Sequence, residues 1–462
     1  MKFRNFITLC LLLAGSLSGF LFRADGGINL DTIGYLRQAL DLPSIQTNIF
    51  PAGYPLAIRI FTYLSPDYFW ATKLLNLACL GAILGFSFWK NFYPVPTMLL
   101  LCTKAGVGLW GFSFSEPLFL TVLFFVFYQL SQEHLYKNAR WVLTTSILLI
   151  LLLVVRHTGI FIWMGILVAY AWERVSVKNK YQPGLSHLIL TSGMLLAIYL
   201  AWNYLSFHSF FGEDLRGNPE VSTGDGWIRH CILNAKGAIS TWNPFFTLVL
   251  QNHDSGLFSA PALVLIVIDF FFLTGYLWIL KTEPKERGHF FANIRIMGWV
   301  FLLLLFASSF SAGIEILNSR LLAPAVFCFL FPTLVALYSH KKLQKPMWLM
   351  GIFCLIFNVI YNIKVPVWYP AIHRNAETIL TQNPQVCCLW LDSDSVPEVH
   401  YHIPLIHKPF IYRHPALSNG YIARHALQVI KPGLQILDSL PEGPQNKVLR
   451  NSELHIWNIE EK

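Results

Sequence analysis

The chain has 462 residues, 55% of them hydrophobic and only 13% charged, and its mean hydropathy is +0.50. A soluble protein of this length carries about twice that charged fraction, so the composition excludes a soluble enzyme and indicates an integral membrane protein. The net charge of +9 reads as a topology signal rather than a polyanion site, because much of it lies in short loops between apolar runs.

Lys2 and Arg4 precede an apolar run over 6–22, and Phe22-Arg23-Ala24-Asp25 lacks the small-x-small cleavage pattern. An uncleaved signal anchor is therefore expected. Further spans are predicted near 69–88, 94–112, 116–130, 141–155, 158–172, 188–206, 260–280, 296–312, 321–338 and 347–363. Alternate connections hold the basic residues: Lys90; Lys137 and Arg140; Arg174, Lys178 and Lys180; Lys281, Lys285, Arg287 and Arg295; Lys341, Lys342 and Lys345. These loops share one side if every span crosses, and the excess of Lys and Arg makes that side cytoplasmic. The expected fold is an all-α polytopic membrane protein of about eleven transmembrane helices with its N-terminus inside.

Residues 1–363 then form a transmembrane domain with extracytoplasmic loops at 23–68 and 207–259. Loop 207–259 is polar, with Glu213, Asp214, Glu220 and Asp225 near Trp227 and Trp242. Residues 364–462 carry short apolar runs such as Val386-Cys387-Cys388-Leu389-Trp390-Leu391 between prolines and glycines. They read as a small C-terminal α/β extracytoplasmic appendage with a modest core. No internal repeat stands out, which weighs against an inverted-repeat transporter. Cys10, Cys79, Cys102, Cys328 and Cys354 fall in apolar runs, and no CxxC or His/Cys spacing points to zinc. A disulfide from Cys231 to Cys387 or Cys388 is open on an oxidising face.

The candidate chemistry lies at the outer boundary. Asp31 either caps an interfacial helix or serves as a general base whose pKa partial desolvation can tune. Asp25 is its runner-up. Glu116, beside Pro117, either complements a helix dipole or supplies a second acid on the same face. Arg156, next to His157, and Arg320, after Glu315 and Asn318, either snorkel to the interface or bind a lipid phosphate bidentately. Lys104 and Asp269 are embedded in spans, where charges face a cavity or each other; a structural ion pair is the simplest expectation. Lys73 is expected to snorkel.

Four motifs stand in order on the outer face: Asp31-Thr32-Ile33-Gly34-Tyr35-Leu36, Phe50-Pro51-Ala52-Gly53-Tyr54-Pro55, Ser115-Glu116-Pro117-Leu118-Phe119 and Ser319-Arg320-Leu321-Leu322-Ala323-Pro324. Together they resemble the GT-C superfamily of polytopic glycosyltransferases, nearest the branch of protein O-mannosyltransferases and lipid A aminoarabinose transferases. The resemblance implies a multi-span fold, an active site on the exported face and a sugar donor carried on polyprenyl phosphate. It matches the first-loop aspartate to Asp31 and the arginine before a Leu-Leu-x-Pro stretch to Arg320. The family often has Asp-Glu in the first loop where this chain has Asp31-Thr32, so either no second acid assists or Glu116 substitutes.

The reaction so implied moves a sugar from the lipid carrier to an exported hydroxyl of a glycan, lipid or protein. Asp31 and Glu116 are the candidate catalytic acids, and Arg320, Arg156, Lys104, Tyr35 and Tyr54 the candidate substrate-binding residues. A divalent metal is compatible with acids at such a site, but nothing in the sequence demands one. A transporter or flippase of lipid-linked glycans would explain embedded Lys104 and Asp269. A polymerase or ligase is kept open by Arg216 and Arg229 in loop 207–259, and a non-catalytic scaffold leaves the outer charges without a shared purpose.

Overall fold

In lipid every backbone N–H and C=O must find its partner within the chain, so apolar runs fold as helices. The computed structural model describes residues 8, 11–12, 15, 27, 30–45, 47–65, 68–132, 135–136, 138–176, 183–212, 225–245, 260–282, 288–311, 316–362, 386–390, 411–413 and 447–450. Two short helices, α1 (Leu30–Asp41) and α2 (Gly53–Phe61), precede the long α3 (Tyr68–Trp89). Then come α4 (Pro94–Leu101), α5 (Val107–Trp110), α6 (Glu116–Ser131), α7 (Ala139–Val155), α8 (Gly159–Ser176), α9 (Pro183–Phe207) and α10 (Asp225–Ile239). After a single 3-10 turn at Ser240–Trp242 follow α11 (Ala260–Thr282), α12 (Gly288–Ser311), α13 (Ser319–Ser339) and α14 (Gln344–Asn362).

Among the described residues, Trp70–Trp89, Gly184–Phe207, Leu263–Lys281, His289–Phe310 and Ser319–Ser339 are long and apolar enough to cross a membrane. The runs expected at 116–130, 141–155 and 347–363 are shorter apolar helices. This is an integral membrane protein of mostly helical fold. Of the run 6–22 only Thr8, Leu11, Leu12 and Gly15 are described; Leu12 is fully buried, and a Cβ on Gly15 would lie 2.9 Å from Val359 of α14. In loop 207–259, residues 213–224 and 246–259 lie outside the described residues. So does most of 364–462, apart from β1 (Val386–Trp390), β2 (Ile411–Arg413) and β3 (Lys447–Arg450), which pair in parallel in the order β2–β1–β3.

One expected span is two helices. The run 94–112 divides into α4 and α5, and residues 102–106 between them are not helical. A Cβ on Gly106 would lie 1.9 Å from the Leu101 carbonyl oxygen, so only glycine fits at this break. The freed groups find partners inside the protein: the Lys104 N–H donates to Pro244 O at 2.9 Å, and Lys104 Nζ donates to Ser240 O at 2.5 Å. Irregular backbone at this depth is tolerated on that condition.

Lipid tails are as apolar as Leu, so close packing rather than hydrophobic transfer holds such helices together. Helix α12 packs along α8 and α13, α7 along α6 and α9, and α3 along α6. At Gly165 of α8 a Cβ would sit 2.6 Å from Met297 Cα, which explains how α8 and α12 approach so closely. In the apolar windows of α13 and α11, 83% and 11% of residues are buried, making α13 the centre of the bundle and α11 its periphery. Phe331 of α13 meets Phe92, Phe124 and Phe127 at ring distances of 5.6–6.3 Å.

The bundle has two chemically distinct ends. At one, the turn after α3 meets the start of α12 through Phe92–Phe290 and Tyr93–Phe291, and Asn293 of α12 donates to Glu173 at the end of α8. Lys90 and Arg174 belong to this end. At the other, α1, α6 and α13 begin and α7 finishes, and Asp31, Glu116, Arg156 and Arg320 meet.

Candidate functional site

The floor of the site is the turn between α5 and α6, residues 111–115. Its backbone is tied down from α1 and α3. Thr32 Oγ1 donates to Ser113 O at 3.0 Å, Thr72 Oγ1 shares a 2.7 Å hydrogen bond with Ser113 Oγ, and the Ser113 N–H donates to Gly27 O. Asn76 Nδ2 donates to Trp110 O and Phe112 O, and Lys73 Nζ donates to Gly111 O at 3.0 Å. Lys73 is 2% exposed: it does not snorkel, as expected from its place near the boundary, but turns inward to hold this turn. Thr72 and Asn76 are the site-building residues that sequence reasoning missed, and Lys73 the one it turned the wrong way. The signal was three polar side chains within five positions of an apolar span.

That turn delivers Glu116 to the start of α6, where Pro117 fits because the first turn lacks N–H acceptors. Asp31 lies in the first turn of α1 rather than at its N-cap, and Arg320 in the first turn of α13. The Asn318 side-chain oxygen caps α13, accepting from the Arg320 and Leu321 N–H groups at 3.0 and 3.1 Å. Arg156 follows the last turn of α7, where a cation complements the helix dipole.

These four side chains form one ion-pair network. Arg320 Nη1 donates to Asp31 Oδ2, and its Nε lies 3.5 Å from Glu116 Oε1. Arg156 Nη1 pairs with the same Glu116 oxygen. The side chains are unequally covered: Glu116 is 3% exposed, Arg156 13%, Arg320 15% and Asp31 36%. The Arg320 guanidinium also lies over the Phe114 ring, 4.9 Å from its centroid, which fixes the plane of its donors. Asp25 and Glu315 lie outside the described residues.

Tyr35 and Tyr54 sit behind the carboxylates. Tyr35 Oη shares a 2.9 Å hydrogen bond with Ser115 Oγ and packs against Phe50 and, edge-on, Tyr54. Burial pushes the Tyr35 hydroxyl up to about 12 against the opposing pull of Arg156, and burial likewise raises Tyr54. Both therefore stay neutral. Beside Arg156, His157 Nε2 donates to Asn48 O at 2.8 Å, tying the loop before α2 to the start of α8.

Lys104 is engaged elsewhere. Its ammonium and N–H hold the Ser240–Pro244 segment, and Asn243 Nδ2 of that segment donates to Asp269 Oδ1 at 2.7 Å. The expected pairing of Lys104 with Asp269 is a shared grip on one turn, with Coulombic attraction between the two. The disulfide left open for Cys231 is not formed, and Cys231 is a free thiol. Among the described residues no group of three or more His, Cys, Asp or Glu could hold a metal ion. The two site carboxylates are each bound to a guanidinium, a donor set that does not fit a divalent cation.

No family model and no curated protein sequence matches this chain. Its structure resembles that of ArnT from Cupriavidus metallidurans bound to undecaprenyl phosphate. The two share 10% sequence identity over 94% of this chain and 89% of that chain, with a TM-score of 0.54. ArnT from the same organism in the apo state aligns over 93% and 88% at 12% identity, with a TM-score of 0.44. At such identity the likeness to the first is a likeness of fold alone.

Proposed function

We propose that this protein is a glycosyltransferase that moves a sugar from a polyprenyl-phosphate carrier to an acceptor hydroxyl on the extracytoplasmic face of the membrane. The observation that carries this reading is the network of Asp31, Arg320, Glu116 and Arg156, gathered at the bundle end opposite Lys90 and Arg174. A membrane fold shared with ArnT, which binds undecaprenyl phosphate, supports the donor class. Residues 1–363 are the catalytic domain, crossing the membrane about eleven times with the N-terminus inside, as the basic loops require. Three parallel strands support reading 364–462 as an α/β appendage.

The acceptor oxygen attacks the anomeric carbon as the bond from that carbon to the phosphate oxygen breaks. The electron pair leaves on the phosphate, and the hydroxyl proton passes to Asp31, the better exposed of the two acids. Arg320, with Arg156 behind it, stabilises the charge that builds on the departing phosphate. One displacement inverts the anomeric centre. Glu116 is too enclosed to reach an acceptor and holds the two guanidiniums. Tyr35 and Tyr54 shape the floor beneath them.

The test is sugar transfer by the purified protein with undecaprenyl-phosphate hexoses as donors, comparing wild type with Asp31→Asn and Arg320→Ala. Loss of roughly 10²–10⁴-fold in turnover for Asp31→Asn, with folding intact, is expected of a missing base. Equal activity in the two proteins removes Asp31 as the base. A wild type that binds lipid-linked sugars without transferring them points to a transporter.

A further inference from the structure

In the structure the residue assigned as base is not free. Asp31 is bound to Arg320, the residue assigned to the phosphate, so each occupies the other's working valence. These contacts join two carboxylates and two guanidiniums. A lipid-linked phosphate arriving there brings negative charge and no cation. The Arg320 donor it can most readily take over is Nη1, which the more exposed of the two carboxylates holds.

The two carboxylates differ in their ability to leave. Glu116 is 3% exposed and held by both arginines through one oxygen, so detaching it would break two contacts and leave Arg156 without a carboxylate among them. Asp31 is 36% exposed and has solvent to turn to. Arg320 also keeps its two carboxylates on different donors: Nε faces Glu116 and Nη1 faces Asp31. A phosphate oxygen can take the Nη1 position while the Nε contact and the Phe114 stacking stay in place.

We propose that Asp31 and the donor phosphate compete for Arg320, so that binding of the phosphate displaces Asp31 and only then frees its carboxylate to take the acceptor proton. Glu116 is the permanent counter-ion, a positioning residue that keeps both arginines in place through the exchange. The inference rests on the proposed function. It gives the enzyme a base that is masked until a donor is seated, and a carrier phosphate that must yield Arg320 back to Asp31 as it departs.

The experiment is equilibrium binding of undecaprenyl phosphate, and in parallel inorganic phosphate, to the full chain in phospholipid nanodiscs. Wild type, Asp31→Asn, Asp31→Ser, Arg320→Ala and the Asp31→Asn/Arg320→Ala pair are compared, with thermal melting as the folding control. Removing the competitor should tighten binding roughly tenfold in whichever Asp31 variant folds, although transfer is lost. That gain should vanish in the double variant. Tightening with either probe supports the exchange, and tightening with inorganic phosphate alone identifies the ligand as a free anion. Unchanged or weaker binding in the Asp31 variants, with Arg320→Ala still weakening it, overturns the exchange but leaves the phosphate assignment standing. Wild-type binding in Arg320→Ala overturns the phosphate assignment itself, and the exchange with it.

Discussion

Glu116→Gln is the most informative stability perturbation, because one oxygen of this side chain serves two cations. The glutamine keeps the shape and removes the charge. Arg320 retains Asp31, so the group left without a carboxylate among these contacts is Arg156, itself 13% exposed. Removing one partner of a buried pair costs on the order of 3–5 kcal/mol; the partial exposure of Arg156 places the expectation near the lower figure, about 3 kcal/mol. Arg156→Gln alone leaves Glu116 its contact with Arg320 and should cost about 2 kcal/mol. If the two residues act as a pair, the double variant has no unmatched charge and loses about 3 kcal/mol rather than 5, a coupling of about 2 kcal/mol. Thermal unfolding in detergent, followed by the fluorescence of the 15 tryptophans, reads this directly. The double variant should melt no lower than Glu116→Gln. A shift equal to the sum of the single shifts would refute the pairing, and with it the account of how the site is held together.

Two further outcomes follow from the residues around it. Lys73→Met should cost about 1–3 kcal/mol by leaving the buried Gly111 carbonyl without its ammonium donor, and amide exchange in residues 111–115 should quicken; unchanged exchange there would detach Lys73 from the turn. Tyr35 has a folded pKa of about 12 against an ordinary 10.0. Its neutral form is favoured by folding, so its stabilisation is complete below pH 10 and is lost as pH rises towards 12. Tyr35→Phe should flatten the alkaline loss of melting temperature in that window, and parallel curves for the two proteins would contradict the burial argument.

Composition and charge alone fixed the class of this protein, since an apolar chain with its cations in short loops has no soluble alternative. Asp31, Glu116, Arg156 and Arg320 were also visible one by one, because ionised groups at the edge of apolar runs are costly and stand out. Their partners were not. Asp31 and Arg320 are 289 positions apart, and nothing local in a sequence says which of several outer charges will meet. Depth along a span does not determine which way a side chain turns, which is why Lys73 reads as snorkelling and is instead buried against Gly111. Hydropathy likewise reads 94–112 as one span. Only the tertiary structure, by bringing Ser240 and Pro244 to Lys104, supplies the partners that make a break at Gly106 affordable. The sequence determined which groups must be kept out of hydrocarbon. The packing of α1, α6, α7 and α13 decided which of them neutralise one another, because ion pairing depends on distances of a few ångströms that only the folded chain sets.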